Sequence, residues 1–100
     1  MAYDPGALNA SLAAAVGSDP LLMAELRTAF VESAARQLDL MSRSRCDANW
    51  RLAASRLKSV AASFSAIGML TLADEALDGA PGDPVVLRKL AAAIDDFAAG

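Results

Sequence analysis

The chain has 100 residues, of which 55% are apolar, chiefly Ala and Leu, and its formal net charge is −3. This length fits a single domain over residues 1–100. No apolar run reaches the roughly 18 residues that a membrane-spanning helix requires, and no basic segment followed by an apolar core marks a secretory signal. The single cysteine, Cys46, excludes an internal disulfide, so we expect a cytoplasmic protein.

The composition, rich in Ala and Leu, favours helices, and Asp-Pro pairs mark where they begin. Asp4-Pro5 predicts a short helix to about Val16, after which Gly17 stops it. Asp19-Pro20 repeats the signal and predicts the longest helix, from Pro20 to about Ser44. Its apolar positions keep helical spacing throughout, at Leu22, Leu26, Phe30, Ala34, Leu38 and Met41.

A polar turn over residues 43–47 separates this helix from the next one, which Asp47 is expected to cap. That helix runs to about Ala66, and Trp50 is expected to pack near the turn and to lock the two helices together. Gly68 predicts a break or kink. One side of the helix is an apolar stripe made of Trp50, Ala53, Leu57, Val60, Ala61 and Phe64.

Two further helices complete the chain. The first is predicted over about Met69 to Asp78, and a loop with two glycines and a proline follows over residues 79–82. Asp83-Pro84 starts the last helix, which runs to about Ala98. Short loops between helices imply antiparallel neighbours. The prediction is an all-α fold, an up-and-down antiparallel four-helix bundle with a short additional N-terminal helix.

The helix from Asp47 has an unusual outer side, centred on Ser55. Residues within about 60° of Ser55 around the helix axis are mostly small, and two cations lie at the edge. A solvated face usually carries long side chains of both charges, whereas a low face with a positive edge suits the close approach of another protein. The predicted docking face consists of Arg51, Ser55, Lys58, Ser59, Ala62 and Ala66.

The charge is distributed unevenly along the chain. Residues 36–58 carry six basic and two acidic residues, a local balance of +4, and the remainder has three basic and ten acidic residues, a balance of −7. Because nucleic-acid binding rewards accumulated positive charge, we expect no nucleic-acid partner. One basic patch on an acidic chain is better suited to steering an acidic protein partner. Scattered solubilising charges are the alternative interpretation.

The chain has few residues that could catalyse a reaction or bind a metal. The chain has no histidine, and no cysteine pair or cluster is available to hold a metal. The carboxylates of Asp74, Glu75 and Asp78, and of Asp95 and Asp96, are interpreted as solvated rather than metal-binding. A serine nucleophile needs a nearby base, and none lies beside Ser55 on its helix. We therefore expect no enzyme activity, no cofactor and no metal.

The segment Ala53 to Ser59, AASRLKS, followed by Phe64-Ser65-Ala66, resembles the signature of the histidine phosphotransfer (HPt) family, A-H-x-L-K-G and then an apolar and a small residue. Further similarities lie at Asp19 to Leu22 and Phe30 to Glu32 (the family's second helix), Cys46 to Trp50 (its G-D-W turn), and Met69, Leu72 and Ala73 (its L-x-x-L-C positions). The resemblance covers roughly residues 18–97. It implies a four-helix bundle with a short extra helix and a role in two-component signalling, where HPt proteins relay a phosphoryl group between receiver aspartates.

Two departures from the family pattern change what the resemblance implies. Ser55 stands where the phosphoacceptor histidine is expected, and Ser59 stands where glycine is usual. A serine hydroxyl is scarcely ionised at neutral pH and its phosphate ester is a poor donor, so relay chemistry is lost. The second departure is mild, because the side chain of Ser59 is still small enough to let a receiver approach. The resemblance thus implies a monomeric HPt-like protein that docks a response-regulator receiver domain, or a histidine kinase, without transferring phosphate.

Two alternatives remain. Ser55 could be an engineered replacement of a native histidine in a working phosphotransfer protein. The chain could instead be a helical dimerisation or interaction module with an unrelated partner, which predicts an exposed apolar stripe. The candidates for that stripe are Leu21, Met23 and Val85, which lie off the core positions.

Overall fold

The computed structural model describes residues 19–99, and within them every regular element is an α-helix. The all-α prediction is therefore confirmed for this part of the chain. The helices are α1 (Pro20–Arg43), α2 (Asp47–Ser63), α3 (Ile67–Asp78) and α4 (Pro84–Ala99). The short helix predicted from Asp4 to Val16 lies outside the described residues.

Each helix contacts the next one along the chain, and α4 returns to contact α1, so that the four helices enclose one core. Three phenylalanine rings meet there. The centroid of the Phe30 ring lies 5.0 Å from that of Phe64 and 5.3 Å from that of Phe97. Edge-to-face and tilted arrangements at such distances are favourable for aromatic rings. The core also contains many alanines, which let the helices approach closely: Ala34, Ala53, Ala54, Ala61, Ala66, Ala73, Ala76 and Ala93.

Two of the predicted aspartate caps are confirmed. The Asp19 carboxylate accepts hydrogen bonds from the backbone N–H groups of Leu21 and Leu22, at 3.1 and 3.2 Å. The Asp83 carboxylate accepts one from the N–H of Val85 at 2.9 Å. These N–H groups have no partner inside the helix, so each cap fixes where its helix begins.

The predicted cap at Asp47 is wrong, because Asp47 is itself the first residue of α2. Cys46 precedes the helix in an extended conformation, and its side chain makes no capping hydrogen bond. Asp47 still contributes to the helix start, since a negative charge in the first turn interacts favourably with the helix dipole.

The end of α2 also differs from the prediction, which extended this helix to Ala66 and placed the break at Gly68. The helix ends at Ser63, and Ser65 adopts a left-handed conformation with φ of 56°. The N–H of Ala66 then donates to the carbonyl of Ala61 at 2.9 Å, and the N–H of Ser65 donates to that of Ala62 at 3.2 Å. This pair of bonds is the Schellman motif, which usually has glycine in the left-handed position.

Trp50 is buried as predicted, but its polar contact is not with the preceding helix. The indole Nε1–H donates a hydrogen bond of 2.9 Å to the carbonyl oxygen of Ala76, near the end of α3. Trp50 therefore ties the start of α2 to the end of α3.

Candidate docking face on the second helix

Ser55 lies in the middle of α2 and is exposed, as the sequence predicted. Exposed with it are Arg51, Lys58, Ser59 and Ala62, and these five residues are called the Ser55 face below. The opposite side of the same helix is buried, with Trp50, Ala53, Ala54, Leu57 and Ala61 in the core. The helical repeat of 3.6 residues produces both sides, because apolar residues recur at intervals of three and four.

Ala66 does not belong to this face, which corrects the sixth member of the predicted set. The prediction assumed that the helix continued to Ala66, whereas it ends at Ser63 and the chain turns inward. Ala66 is fully buried in the core and precedes α3. No partner can reach its side chain in this fold.

Lys58 makes an ion pair with Asp74 of α3, with 2.7 Å between the Nζ and Oδ1 atoms. The hydrogen bond and the charge of Asp74 raise the pKa of Lys58 above its ordinary value, and the charge of Asp78 adds to this effect. Both side chains of the pair are about half exposed, at 47% each. Lys58 therefore remains protonated at neutral pH and is shared between α3 and the solvent.

Arg51 is also held by α3, through a hydrogen bond of 3.2 Å from its Nη1 atom to the carbonyl oxygen of Leu77. Leu77 lies in the last turn of α3, whose carbonyl groups have no partners inside the helix. A cation there interacts favourably with the negative end of the helix dipole. Both cations of the Ser55 face thus lie on its α3 side.

The remaining part of the face is low because its side chains are small, and serine hydroxyl groups at and beside it bond back to their own helix. The Ser59 hydroxyl donates to the carbonyl of Ser55 at 3.2 Å, and the Ser63 hydroxyl donates to that of Ser59 at 2.9 Å. Within residues 19–99 the Ser55 hydroxyl has no hydrogen-bonded acid or base. The described residues therefore bring no group to Ser55 that would take its proton and activate it as a nucleophile.

A groove between α1 and α2 borders the other side of the Ser55 face and was not predicted. It has a volume of about 440 Å³ and is lined by Leu40, Arg43, Ser44, Asn49, Leu52, Ala53 and Arg56, without a carboxylate. Leu40 and Leu52 remain 39% and 50% exposed. Neither leucine belongs to the apolar stripes predicted from the sequence. Two leucines outside those stripes could have indicated an exposed apolar groove.

Two of the three carboxylates of the predicted acidic cluster on α3 lie in ion pairs. Asp74 contacts Lys58, and the Glu75 carboxylate lies 3.6 Å from the Nζ atom of Lys89. Among the described residues, no three histidine, cysteine or carboxylate side chains are grouped to hold a metal ion. In the same part of the chain, no helix combines the length and apolar character needed to cross a bilayer.

Comparison of the chain with protein-family models, with curated proteins and with solved structures gives no significant match.

Proposed function

We propose that the chain is an HPt-like protein that docks the receiver domain of a response regulator and does not transfer phosphate. The observation that carries this proposal is the exposure of Ser55 at the centre of a low face, with Lys58 one turn further along the same helix. In the HPt signature a histidine and a lysine have this spacing. The proposed fold is the up-and-down HPt bundle, and the order of the four helices and their short connections are consistent with it.

The charges of the face support a receiver as the partner. The resemblance implies that the partner presents an acidic pocket, and Arg51 and Lys58 supply positive charge beside Ser55. Complementary charge of this kind increases the rate of encounter and selects the partner more than it adds affinity. Small side chains at Ser59 and Ala62 let a second surface approach the helix closely. A histidine kinase that presents a similar acidic surface is a further partner in the same proposal.

The loss of phosphotransfer follows from Ser55. Transfer needs a nucleophile that accepts the phosphoryl group and later releases it, and an imidazole does both at neutral pH. The chain has no histidine at all, so no other residue can take over that role. A protein of this kind would sequester a receiver, compete with an active HPt protein, or hold signalling proteins together.

The test is a binding titration against the receiver domains of the source organism, with the wild-type chain and the Ser55→His variant. We expect both chains to bind one receiver, and only the variant to accept phosphate from it. Failure of every receiver to bind either chain would contradict the proposal. Phosphate acceptance by wild-type Ser55 would contradict the claim that transfer is lost.

Charge reversal tests whether the receiver binds at the Ser55 face. The double variant Arg51→Glu, Lys58→Glu should lower receiver affinity on the order of ten-fold, because two attractive charges become repulsive. The variant Arg88→Glu, Lys89→Glu on α4 is the matched control, since it also reverses two exposed cations, on a helix that does not carry the Ser55 face. Equal affinities of the double variant and the control would remove the Ser55 face from the interface.

A second candidate function is a helical dimerisation module, or an interaction module with an unrelated partner, and the groove between α1 and α2 favours it. Exposed Leu40 and Leu52 could pack against an amphipathic helix. The stripe predicted for this alternative is corrected in part: Leu21 and Val85 are exposed, whereas Met23 packs against the core. A tight dimer in gel filtration would favour this candidate over receiver docking.

A further inference from the structure

Lys58 is already paired with an acid of its own chain when a docking partner reaches it. Its ammonium group lies 2.7 Å from the Asp74 carboxylate, and this contact joins α2 to α3. Neither side chain is enclosed, since each is 47% exposed. An approaching carboxylate therefore reaches the same ammonium group from the solvent side and competes with Asp74 for it.

The α3 edge of the Ser55 face is acidic beyond this one contact. Asp74 and Asp78 are four residues apart on α3 and hence lie on the same side of that helix. Both act on Lys58, and both raise its pKa. Arg51, the other cation of the face, bonds to the uncharged carbonyl of Leu77 and does not neutralise either carboxylate in this structure.

We propose that Asp74 is a specificity-determining residue, which occupies Lys58 and so lowers the affinity of the Ser55 face for the acidic pocket of a receiver domain. This inference rests on the proposed function. A weakly acidic surface gains little from exchanging one ion pair for another, and the displaced Asp74 then repels it. A pocket with several carboxylates contacts Arg51 as well as Lys58, and the second contact offsets these losses, so Asp74 restricts docking to partners of that kind.

The Asp74→Asn variant tests the charge of Asp74 alone, because aspartate and asparagine side chains have nearly the same shape. Removing the carboxylate frees Lys58 and ends the repulsion of the partner. We expect receiver affinity to rise about two- to five-fold, the range that measured energies of exposed ion pairs imply. The dependence of affinity on salt should become steeper, since the face gains one net positive charge.

The first measurement needs no partner and tests whether the ion pair exists in solution. The chain has two lysines, Lys58 and Lys89, so acetylation by acetic anhydride at pH 9 can be followed at each one by peptide mass spectrometry. Asp74→Asn should make Lys58 react faster, because a lower pKa leaves more of its amine neutral. Lys89 is the internal control and should react at an unchanged rate. An unchanged rate at Lys58 would overturn the inference, whatever a receiver does.

The second measurement is receiver affinity for the wild-type chain, for Asp74→Asn and for Glu75→Gln. Glu75→Gln is the matched control, since it removes the neighbouring carboxylate, which faces Lys89 instead. Higher affinity for Asp74→Asn alone supports the inference. Unchanged or lower affinity for Asp74→Asn, with faster acetylation of Lys58, overturns it and leaves the proposed function intact. Absence of binding by all three chains overturns the proposed function, and the inference with it.

Discussion

Trp50 illustrates how one buried side chain fixes the relation between two helices. Its Nε1–H group bonds to the Ala76 carbonyl inside the core, where an unpaired polar group is costly. We expect Trp50→Phe to lower the free energy of unfolding by about 1–3 kcal/mol, because the carbonyl loses its partner and a cavity forms. Urea unfolding followed by circular dichroism measures this loss. A change below about 0.5 kcal/mol would mean that the bond contributes little.

Lys58 makes part of the stability depend on pH. Its pKa is higher in the folded chain than in the unfolded chain, so the folded state holds the proton more tightly. The stabilisation is complete below the unfolded pKa of about 10.4 and is lost as the pH rises through the higher folded value. The difference in urea midpoint between wild type and Asp74→Asn should be constant at pH values well below the unfolded pKa and should shrink as the pH rises above it. A difference in midpoint that persists at the highest pH would contradict the attribution of this stabilisation to the Lys58–Asp74 ion pair.

At the scale of elements, the helices begin in two different ways, with or without an aspartate at the cap position. The Asp83 carboxylate accepts a backbone hydrogen bond at the start of α4, whereas Asp47 is the first residue of α2 and does not occupy its cap position. We expect Asp83→Ala to cost about 1 kcal/mol in unfolding free energy. Asp47→Ala serves as the control and should cost only a few tenths, through the helix dipole. Equal losses in thermal or urea unfolding would show that capping geometry does not decide the effect.

At the scale of the whole molecule, charge separation should govern how a partner approaches. The basic segment over residues 36–58 contributes both cations of the Ser55 face, although the chain carries a net charge of −3. We expect the association rate with an acidic receiver to fall at least several-fold between about 50 and 500 mM salt, with a smaller change in the dissociation rate. Stopped-flow measurements at several salt concentrations test this. A salt-independent association rate would exclude electrostatic steering.

The helix starts at Asp19-Pro20 and Asp83-Pro84 could be predicted because a cap acts within three residues of itself. The buried side of α2 could be predicted for the same kind of reason, since its spacing depends only on the helical repeat. The exposure of Ser55 then follows, because it lies opposite that side. These features depend on the identities of near neighbours, which the sequence states directly.

Other features depended on which helices meet. Ser65 takes a left-handed conformation that a serine rarely adopts, and this early turn removes Ala66 from the exposed face. Lys58 and Asp74 are 16 residues apart in the sequence, and only the packing of α2 on α3 brings their charges within 2.7 Å. The groove containing Leu40 and Leu52 likewise exists only where α1 and α2 lie side by side. The sequence by itself therefore determined which segments are helical, where the helices after Asp19 and Asp83 begin, and which side of α2 is buried, through local capping and periodicity. The tertiary structure alone decided the partners of the cations and the borders of the Ser55 face, because those depend on contacts between distant parts of the chain.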